Sequence, residues 1–340
     1  MATVIKGTAV AKKVRQGLRD EILEIQKEKP DFKPGLTVVQ VGDRPDSNVY
    51  IGAKVKACEE IGINGVHMKL PPETTQQELI DAIEGLNVDP NVHGIILQVP
   101  LDCTTGIDET LCTNVLSPSK DVDGLTDVNA GRLARGDLKR CFTPCTPTGC
   151  MVLIDEAGVD VKGKNVCVVG RSKIVGAPMH DLLLWAHGTV TTCHSRTPDL
   201  GYHIKQADVV VVAAGKKELV KGEWIKPGAV VIDCGINPEP DATKKSGVKL
   251  WGDVEYQAAK QVAGAITPVP GGVGPMTVAL LMRNTVVSAK RMHGITGVRS
   301  YSTASYTRPI AAQLGGGARG LSTSTNFARA GLSLLQRLKK

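Results

Sequence analysis

The chain has 340 residues, enough for two domains, and its 42% hydrophobic and 22% charged residues exclude collagen, coiled coil and wholesale disorder. Aromatic residues make up only 3%, so we predict no base-stacking platform and no nucleic-acid partner. The formal charge of +7 comes from residues 291–340, which hold eight Lys or Arg and no acid, so residues 1–290 are nearly neutral and their charge points to no anionic partner.

Short β-branched runs alternate with helical stretches along the chain, as in a parallel sheet with crossover helices. Several runs are apolar without alternation, which is typical of strands covered on both faces. We predict strands at 37–41, 94–99, 165–169, 189–193, 208–213 and 229–234. The pattern predicts an α/β fold.

The first motif that carries chemistry lies in residues 46–56. Asp46 or Ser47 is positioned to cap a helix that continues to about residue 61. Apolar residues recur there every four positions, at Val49, Ala53, Ala57 and Ile61. We expect this stripe to pack on the sheet and to place Tyr50 and Lys54 one turn apart on the neighbouring face, along one wall of a cleft. A solvated face is the ordinary alternative for a single helical lysine.

Two further polar residues lie near the ends of predicted strands. Gln98 interrupts the apolar run 93–99, where burial is costly without a partner. Asp123 lies in the loop 121–124. Because ligands in open α/β sheets bind near the carboxyl ends of strands, both are candidates for the same site.

Two segments rich in chain breakers divide the chain. The Pro- and Thr-rich segment 143–148 predicts a boundary between a first domain, 1–147, and a second, 148–275. The segment 267–275 precedes a predicted helix, 276–291, that is expected to return to the first domain. Residues 292–340 are predicted to form a basic, disordered tail, because few large apolar residues occur there.

A dinucleotide-binding turn is predicted where the strand 165–169 meets Gly170 and a helix begins near Gly176. A strand, a glycine turn and a helix start together direct backbone N–H groups at a phosphate. Ser172 stands at the middle glycine position of the GxGxxG pattern, so this loop alone is also compatible with an ordinary βα turn.

The end of the next strand favours NADP over NAD. No acid follows residue 193 until Asp199, whereas an NAD site usually places a carboxylate there for the ribose. Ser195, Arg196 and Arg171 can instead receive a 2′-phosphate. The alternative is that these are solvent-exposed loop residues.

Nine cysteines are scattered without a CxxC pair, which indicates a reducing compartment and predicts no metal site. The N-terminal segment has no apolar signal region, and no apolar run reaches the roughly 20 residues of a membrane span. We therefore expect a cytoplasmic protein without a membrane partner. The tail resembles a mitochondrial presequence in composition, but lies at the wrong end of the chain, and leaves mitochondria as the alternative.

Five motifs resemble, in order, those of the bifunctional methylenetetrahydrofolate dehydrogenase/methenyltetrahydrofolate cyclohydrolase family. They are YIGAK (50–54), GIILQVPL (94–101), KDVDG (120–124), GRSKIVGAP (170–178) and PVPGGVGPMT (268–277). The resemblance covers about residues 4–291 and is greatest to the corresponding portion of the trifunctional eukaryotic cytosolic enzymes. It implies two domains facing each other across a cleft, the second a Rossmann-type sheet, and a homodimer.

The resemblance also implies roles for individual residues. Tyr50 would stack on the folate, Lys54 would be the main catalytic residue, Gln98 would orient and tune it, and Asp123 would bind the pterin. The folate would also contact Pro270, Gly271 and Gly272. NADP would be bound by Gly170, Arg171, Ser172, Ser195, Arg196 and Ile236.

The implied reactions are NADP-dependent oxidation of methylenetetrahydrofolate to the methenyl cation and hydrolysis of that cation to formyltetrahydrofolate. Both belong to one-carbon metabolism, which supplies purine biosynthesis. The first reaction requires alignment, and the second requires a base for the attacking water, for which Lys54 is the candidate. The chain has no GxxxxGK[ST] phosphate loop and no synthetase domain, so we expect no ligase step.

Two other functions remain open from the residues alone. Another NADP-dependent two-domain dehydrogenase, acting on shikimate or an amino acid, would share the nucleotide loop without needing Tyr50 and Lys54 one turn apart. A catalytically silent NADP-binding or assembly subunit would tolerate the loss of Lys54, Gln98 or Asp123, which are all present.

Overall fold

The computed structural model describes residues 1–244 and 247–295. These residues contain eleven strands, ten α-helices and one short 3₁₀ helix (Gly222–Trp224). The strands are β1 (Thr3–Val4), β2 (Gly35–Val41), β3 (Asn64–Leu70), β4 (Gly94–Leu97), β5 (Asn165–Val169), β6 (Thr189–Cys193), β7 (Val209–Val212), β8 (Val230–Asp233), β9 (Asn237–Pro240), β10 (Val248–Trp251) and β11 (Ala265–Ile266). The helices are α1 (Gly7–Glu28), α2 (Pro45–Ile61), α3 (Gln76–Val88), α4 (Glu109–Val115), α5 (Asp127–Ala134), α6 (Cys145–Glu156), α7 (Gly176–Trp185), α8 (Leu200–Lys205), α9 (Tyr256–Val262) and α10 (Val273–Met292).

Two parallel sheets form the framework. The first has three strands in the order β3-β2-β4. The second has six, in the order β1-β11-β8-β7-β5-β6, and all its pairs are parallel. The strands β2, β4, β7 and β8 are buried along their whole length, as is typical of parallel strands whose two faces are covered. Strands β9 and β10 form a separate antiparallel hairpin.

The C-terminal helix α10 connects the two halves of the molecule. It packs against α1 and α6, and Lys290 forms a buried ion pair with Glu21 of α1. The Nδ2 of Asn284 donates to the carbonyl oxygens of Val122, at 2.9 Å, and Thr143, at 3.2 Å. One hydrophobic cluster contains buried side chains of both sheets, including Val38 of β2. The two sheets therefore share a core.

The strand predictions agree with the structure in type. Strands β5 and β6 have the predicted bounds, and β2, β7 and β8 differ by one or two residues at their ends. Strand β4 ends at Leu97 rather than at residue 99, and Pro100, which follows, has no N–H for a ladder. Strands β1, β3, β9, β10 and β11 were not predicted.

The prediction for the second helix was wrong in two respects. The helix begins at Pro45, one residue after the N-cap Arg44, so the cap position lies before both Asp46 and Ser47. Val49 is 73% exposed and Ala53 is also exposed, so the predicted stripe does not pack on the sheet. The face that packs inward carries Ser47, Ile51, Lys54, Ala57, Cys58 and Ile61.

The segment 143–148 is mostly buried, and its second half is the first turn of α6. Helix α10 begins at Val273, three residues before the predicted start, because the end of the Pro- and Gly-rich loop is already helical. In the described part of the chain, no helix is long and apolar enough to cross a membrane. The predicted tail lies outside the described residues from position 296 onward.

Candidate active site

Helix α2 places Lys54 on its buried face, one turn after Tyr50. The residue is 9% exposed, and its Nζ donates to Oε1 of Gln98 at 2.9 Å. Gln98 follows β4, where its backbone N–H donates to Val39 at 2.8 Å and its own Nε2 donates to the Val99 carbonyl at 3.2 Å. The amide oxygen of Gln98 therefore has a fixed direction. It orients the Lys54 amine by a hydrogen bond and, being uncharged, forms no ion pair with it.

Asp123 lies in a tight loop that a second carboxylate holds in place. The buried Asp121 accepts five hydrogen bonds of 2.8–3.1 Å, from the backbone N–H groups of Gly124, Leu125 and Thr126, the Thr126 hydroxyl and the Asn129 amide. Burial raises the pKa of Asp123, and the charge of Lys54 and a contact with the Cys145 thiol offset part of this rise. The fold thus brings Lys54, Gln98 and Asp123 close to one another.

A cavity of about 470 Å³ lies at Tyr50, one turn before Lys54 on α2. It is lined by Tyr50, by Ile236 after β8, and by the loop that contains Pro270, Gly271 and Gly272. The loop is anchored to the start of α1, where the backbone N–H of Thr8 donates to the Gly271 carbonyl at 3.1 Å. Gly271 has a φ of 98°, in the region that favours glycine. Tyr50 is 43% exposed, so its ring is available to a ligand.

The glycine loop after β5 is built for close backbone approach. Gly170 has a φ of 126°, and a Cβ there would lie 2.2 Å from the Ala213 carbonyl oxygen. The Ser172 hydroxyl accepts from the N–H groups of Val175 and Gly176, so it acts as a cap just before α7. Residues Arg171 and Ser172 are exposed. A loop of this shape at the start of a helix fits the phosphates of a dinucleotide.

The 2′-phosphate candidates lie at the same end of the second sheet. Val169 pairs with Cys193, and the Gly170 N–H donates to the Cys193 carbonyl at 2.8 Å, so the loops after β5 and β6 leave the sheet side by side. Ser195 and Arg196 are exposed in the second of these loops. Ser172 borders a separate cavity of about 270 Å³ with Glu109 and Asp127, and not the cavity beside Tyr50.

Three buried groups near the cleft were not predicted from the sequence. Asp233 and Asp253 lie at the carboxyl end of the second sheet, and Cys145 contacts Asp123. Burial raises the pKa of Cys145 well above its ordinary value. The one available signal was Asp233, a charged residue that ends an otherwise apolar strand. Across residues 1–244 and 247–295, no group of three or more His, Cys, Asp or Glu side chains is arranged to hold a metal ion.

A parallel six-stranded sheet with a glycine turn between strand and helix defines an α/β protein of the dinucleotide-binding class. The model of the tetrahydrofolate dehydrogenase/cyclohydrolase catalytic domain matches residues 5–123, and that of the NAD(P)-binding domain matches residues 144–293. The chain belongs to the tetrahydrofolate dehydrogenase/cyclohydrolase family, which confirms the resemblance.

Solved structures share the fold over most of their length. A bifunctional methylenetetrahydrofolate dehydrogenase/cyclohydrolase of Campylobacter jejuni is 42% identical with a TM-score of 0.79, covering 86% of this chain and 99% of that one. The enzyme of Trypanosoma brucei, solved with NADP cofactor and an inhibitor, is 40% identical with a TM-score of 0.81, covering 85% and 98%. These neighbours confirm the predicted fold class.

Among curated relatives, the cytoplasmic C-1-tetrahydrofolate synthase of Drosophila melanogaster is 60% identical and that of Rattus norvegicus 57% identical, each over 290 residues. These alignments cover 85% of this chain but only 30% and 31% of the relatives. The chain thus spans about a third of the length of the curated relatives it matches.

Proposed function

We propose that this chain oxidises methylenetetrahydrofolate to methenyltetrahydrofolate with NADP and hydrolyses the product to formyltetrahydrofolate. The observation that carries the proposal is the Lys54–Gln98 hydrogen bond, beside Asp123 and a cavity, in a chain of this family. We propose no ligase activity for residues 1–290.

The oxidation needs alignment more than acid–base chemistry. NADP supplies the hydride acceptor when bound; Tyr50 and the loop at Pro270 border the cavity in which the folate would lie. Stacking on a half-exposed ring and a hydrogen bond from the pterin to Asp123 would fix the folate in one orientation. Holding two reactants in a productive geometry lowers the barrier by reducing the entropy lost at the reaction step.

The hydrolysis needs a proton acceptor for the attacking water. Lys54 is the proposed base, and Gln98 directs its amine through the 2.9 Å hydrogen bond. A methenyl cation in the adjacent cavity would disfavour the ammonium form by like-charge repulsion. One amine could therefore serve the second reaction without a separate general base.

The preference for NADP is assigned to Arg171, Ser195 and Arg196, with Gly170 and Ser172 at the phosphates and Ile236 near the nicotinamide. Three groups that can receive a phosphate lie in adjacent exposed loops.

We further propose the domain division at residues 147 and 275, a homodimer and a cytoplasmic location, the last from the names of the curated relatives.

Purified full-length protein should be mixed with methylenetetrahydrofolate and NADP, and then with NAD, while absorbance reports reduced cofactor and methenyltetrahydrofolate. We expect turnover with NADP and little methenyl accumulation. Ser195→Asp should lower kcat/KM for NADP by roughly tenfold or more and leave that for NAD within about twofold, because a carboxylate repels the 2′-phosphate. Folded protein with no turnover on either cofactor would refute the proposal.

A further inference from the structure

The loop after β7 is held by a buried carboxylate that the mechanism above does not use. Asp253, which follows the β9–β10 hairpin, is fully buried. Its Oδ2 accepts from the backbone N–H groups of Ala214, at 2.7 Å, and Gly215, at 2.8 Å, and its Oδ1 accepts from that of Lys216, at 2.9 Å. Three consecutive N–H groups therefore point inward at one side chain.

Asp253 is itself fixed from two directions. The Asn237 Nδ2 donates to its Oδ1 at 2.8 Å. Its backbone N–H donates to Asp233 at 3.0 Å, and Asp233 also accepts from the N–H groups of Gly235 and Val254. The two carboxylates link the loops after β7 and β8, and the hydrogen bonds offset the cost of burying their charge.

The inward direction of the N–H groups sets the direction of the carbonyls. These peptides are trans, so each carbonyl points opposite to the N–H of the next residue. The carbonyls of Ala213, Ala214 and Gly215 therefore point away from Asp253. For Ala213 this is visible in the packing, because its oxygen faces Gly170 of the glycine loop. Carbonyls accept hydrogen bonds and cannot donate them.

We propose that Asp253 is a positioning residue for the nicotinamide riboside half of NADP. It turns the carbonyls of residues 213–215 away from its own carboxylate, that of Ala213 toward the glycine loop, so that they would accept hydrogen bonds from the hydroxyl and carboxamide donors of that half. Of the residues proposed at the 2′-phosphate, Ser195 and Arg196 follow β6, which lies on the other side of β5 from β7, and Arg171 follows β5 itself. The two halves of the cofactor are thus served by different loops. This inference rests on the proposed NADP site.

The test compares two ligands by calorimetric titration of the full chain: NADP, and adenosine 2′,5′-bisphosphate, which lacks the nicotinamide riboside. Asp253→Asn should bind NADP roughly tenfold more weakly or worse, because its amide N–H group opposes the loop donors. Its affinity for the bisphosphate should stay within about twofold. Asn237→Ala, which retains the carboxylate but removes one of its donors, should shift NADP affinity in the same direction by a smaller factor.

The matched control is Asp208→Asn. Asp208 precedes β7 at the opposite end of the strand, and its carboxylate also accepts a backbone N–H, from Asn165 at 3.0 Å. Its replacement should leave the affinity for both ligands unchanged. A general effect of losing a carboxylate from this sheet would appear in both variants, whereas the proposed effect appears only at Asp253.

Equal weakening of both ligands by Asp253→Asn, or no weakening of NADP, would overturn the proposal. If that variant does not fold, Asn237→Ala decides: selective weakening of NADP supports the proposal and unchanged affinity overturns it. Wild-type chain that binds neither ligand would instead remove the NADP assignment, and this inference with it.

Discussion

At the scale of single residues, the geometry of Lys54 separates it from Lys56, the other lysine of its helix. It is 9% exposed and points at an amide oxygen, whereas Lys56, two residues later, is exposed on another face. A buried amine with a neutral acceptor keeps its hydrogen bond whether it is charged or not, provided one N–H remains. That property suits a group that gains and loses a proton during turnover.

Lys54→Met should therefore abolish cyclohydrolase activity, with a fall of about 100-fold or more, because general-base catalysis contributes about 10²–10⁴ in rate. Methionine retains the length of the side chain without the amine. Stopped-flow measurement of methenyltetrahydrofolate hydrolysis gives the rate directly. Lys56→Met is the control from the same helix and should hydrolyse at the wild-type rate; undiminished hydrolysis by Lys54→Met would contradict the assignment.

Asp233 gives a prediction about pH and stability. Burial raises the pKa of Asp233 to about 6 from 3.8, although backbone N–H groups favour the carboxylate. At a pH between these two pKa values, Asp233 is protonated in the folded state and ionised in the unfolded chain. Its contribution to the unfolding free energy is therefore fully present at low pH and is lost as the pH rises through 6. The loss amounts to about 3 kcal/mol.

Urea unfolding at a series of pH values between 4 and 7 measures this loss. Asp233→Asn cannot ionise, so its unfolding free energy should fall less than that of the wild type across the window. The informative quantity is the difference between the two slopes, since other groups titrate equally in both proteins. Parallel curves would show that Asp233 is ionised throughout.

At the scale of elements, the sequence predicted those strands whose apolar runs are buried on both faces. Strand β3 was not predicted, because an edge strand carries polar residues such as Asn64, His67 and Lys69 that hide the β pattern. In α2 the apolar stripe was misleading: Val49 and Ala53 are exposed, while Ser47 and Lys54 are buried. Polar groups occupy part of the inward face there, and no periodicity of apolar residues can reveal that.

The site residues likewise divide into those that the sequence could reveal and those that only the folded chain reveals. Gln98 could be singled out from the sequence because it follows the buried strand β4, whereas Asp123 lies in a loop that follows no strand. Asp253 could not, because its partners are backbone N–H groups of a loop 37–39 residues earlier, and only the folded chain brings them together. The pairing of α1 with α10 spans a far larger sequence separation, with Glu21 and Lys290 269 residues apart.

That pairing includes the buried ion pair of Glu21 and Lys290, whose side chains are 7% and 3% exposed. Lys290→Met leaves a buried carboxylate without its partner and should cost about 3–5 kcal/mol of unfolding free energy. Adding Glu21→Leu should recover most of this loss, since a packed apolar pair is about as stable as a buried ion pair. Chemical denaturation of the single and double variants measures both steps.

The ion pair of Lys27 and Glu24 provides the comparison on the same α1 helix, because their side chains are 70% and 61% exposed. Lys27→Met should change the unfolding free energy by less than about 1 kcal/mol. If the double variant at positions 21 and 290 is no more stable than Lys290→Met alone, the ion pair has a role beyond mutual neutralisation.

At the scale of the whole molecule, the two sheets are separate in hydrogen bonding but not in packing. Buried side chains of β2 and β4 belong to the same hydrophobic cluster as those of β5 and β7. Helix α10 leaves the cleft loop at Val273 and runs to the first sheet, where Asn284 holds the loop that carries Asp123. Removing either sheet would expose the apolar surface of the other, at about 25 cal/mol per Å².

Residues 1–295 should consequently unfold in one transition, although chains of this length often unfold in stages. All three tryptophans, Trp185, Trp224 and Trp251, lie with the second sheet, so their fluorescence reports that half, while far-UV circular dichroism reports both. The two signals should have the same midpoint in urea. NADP at about 100 times its Kd should raise the unfolding free energy by about 2.7 kcal/mol in both. The contrary result is that NADP raises the urea midpoint of the fluorescence transition while part of the dichroism change keeps its lower midpoint. The two sheets would then unfold independently, and the shared core would not couple them.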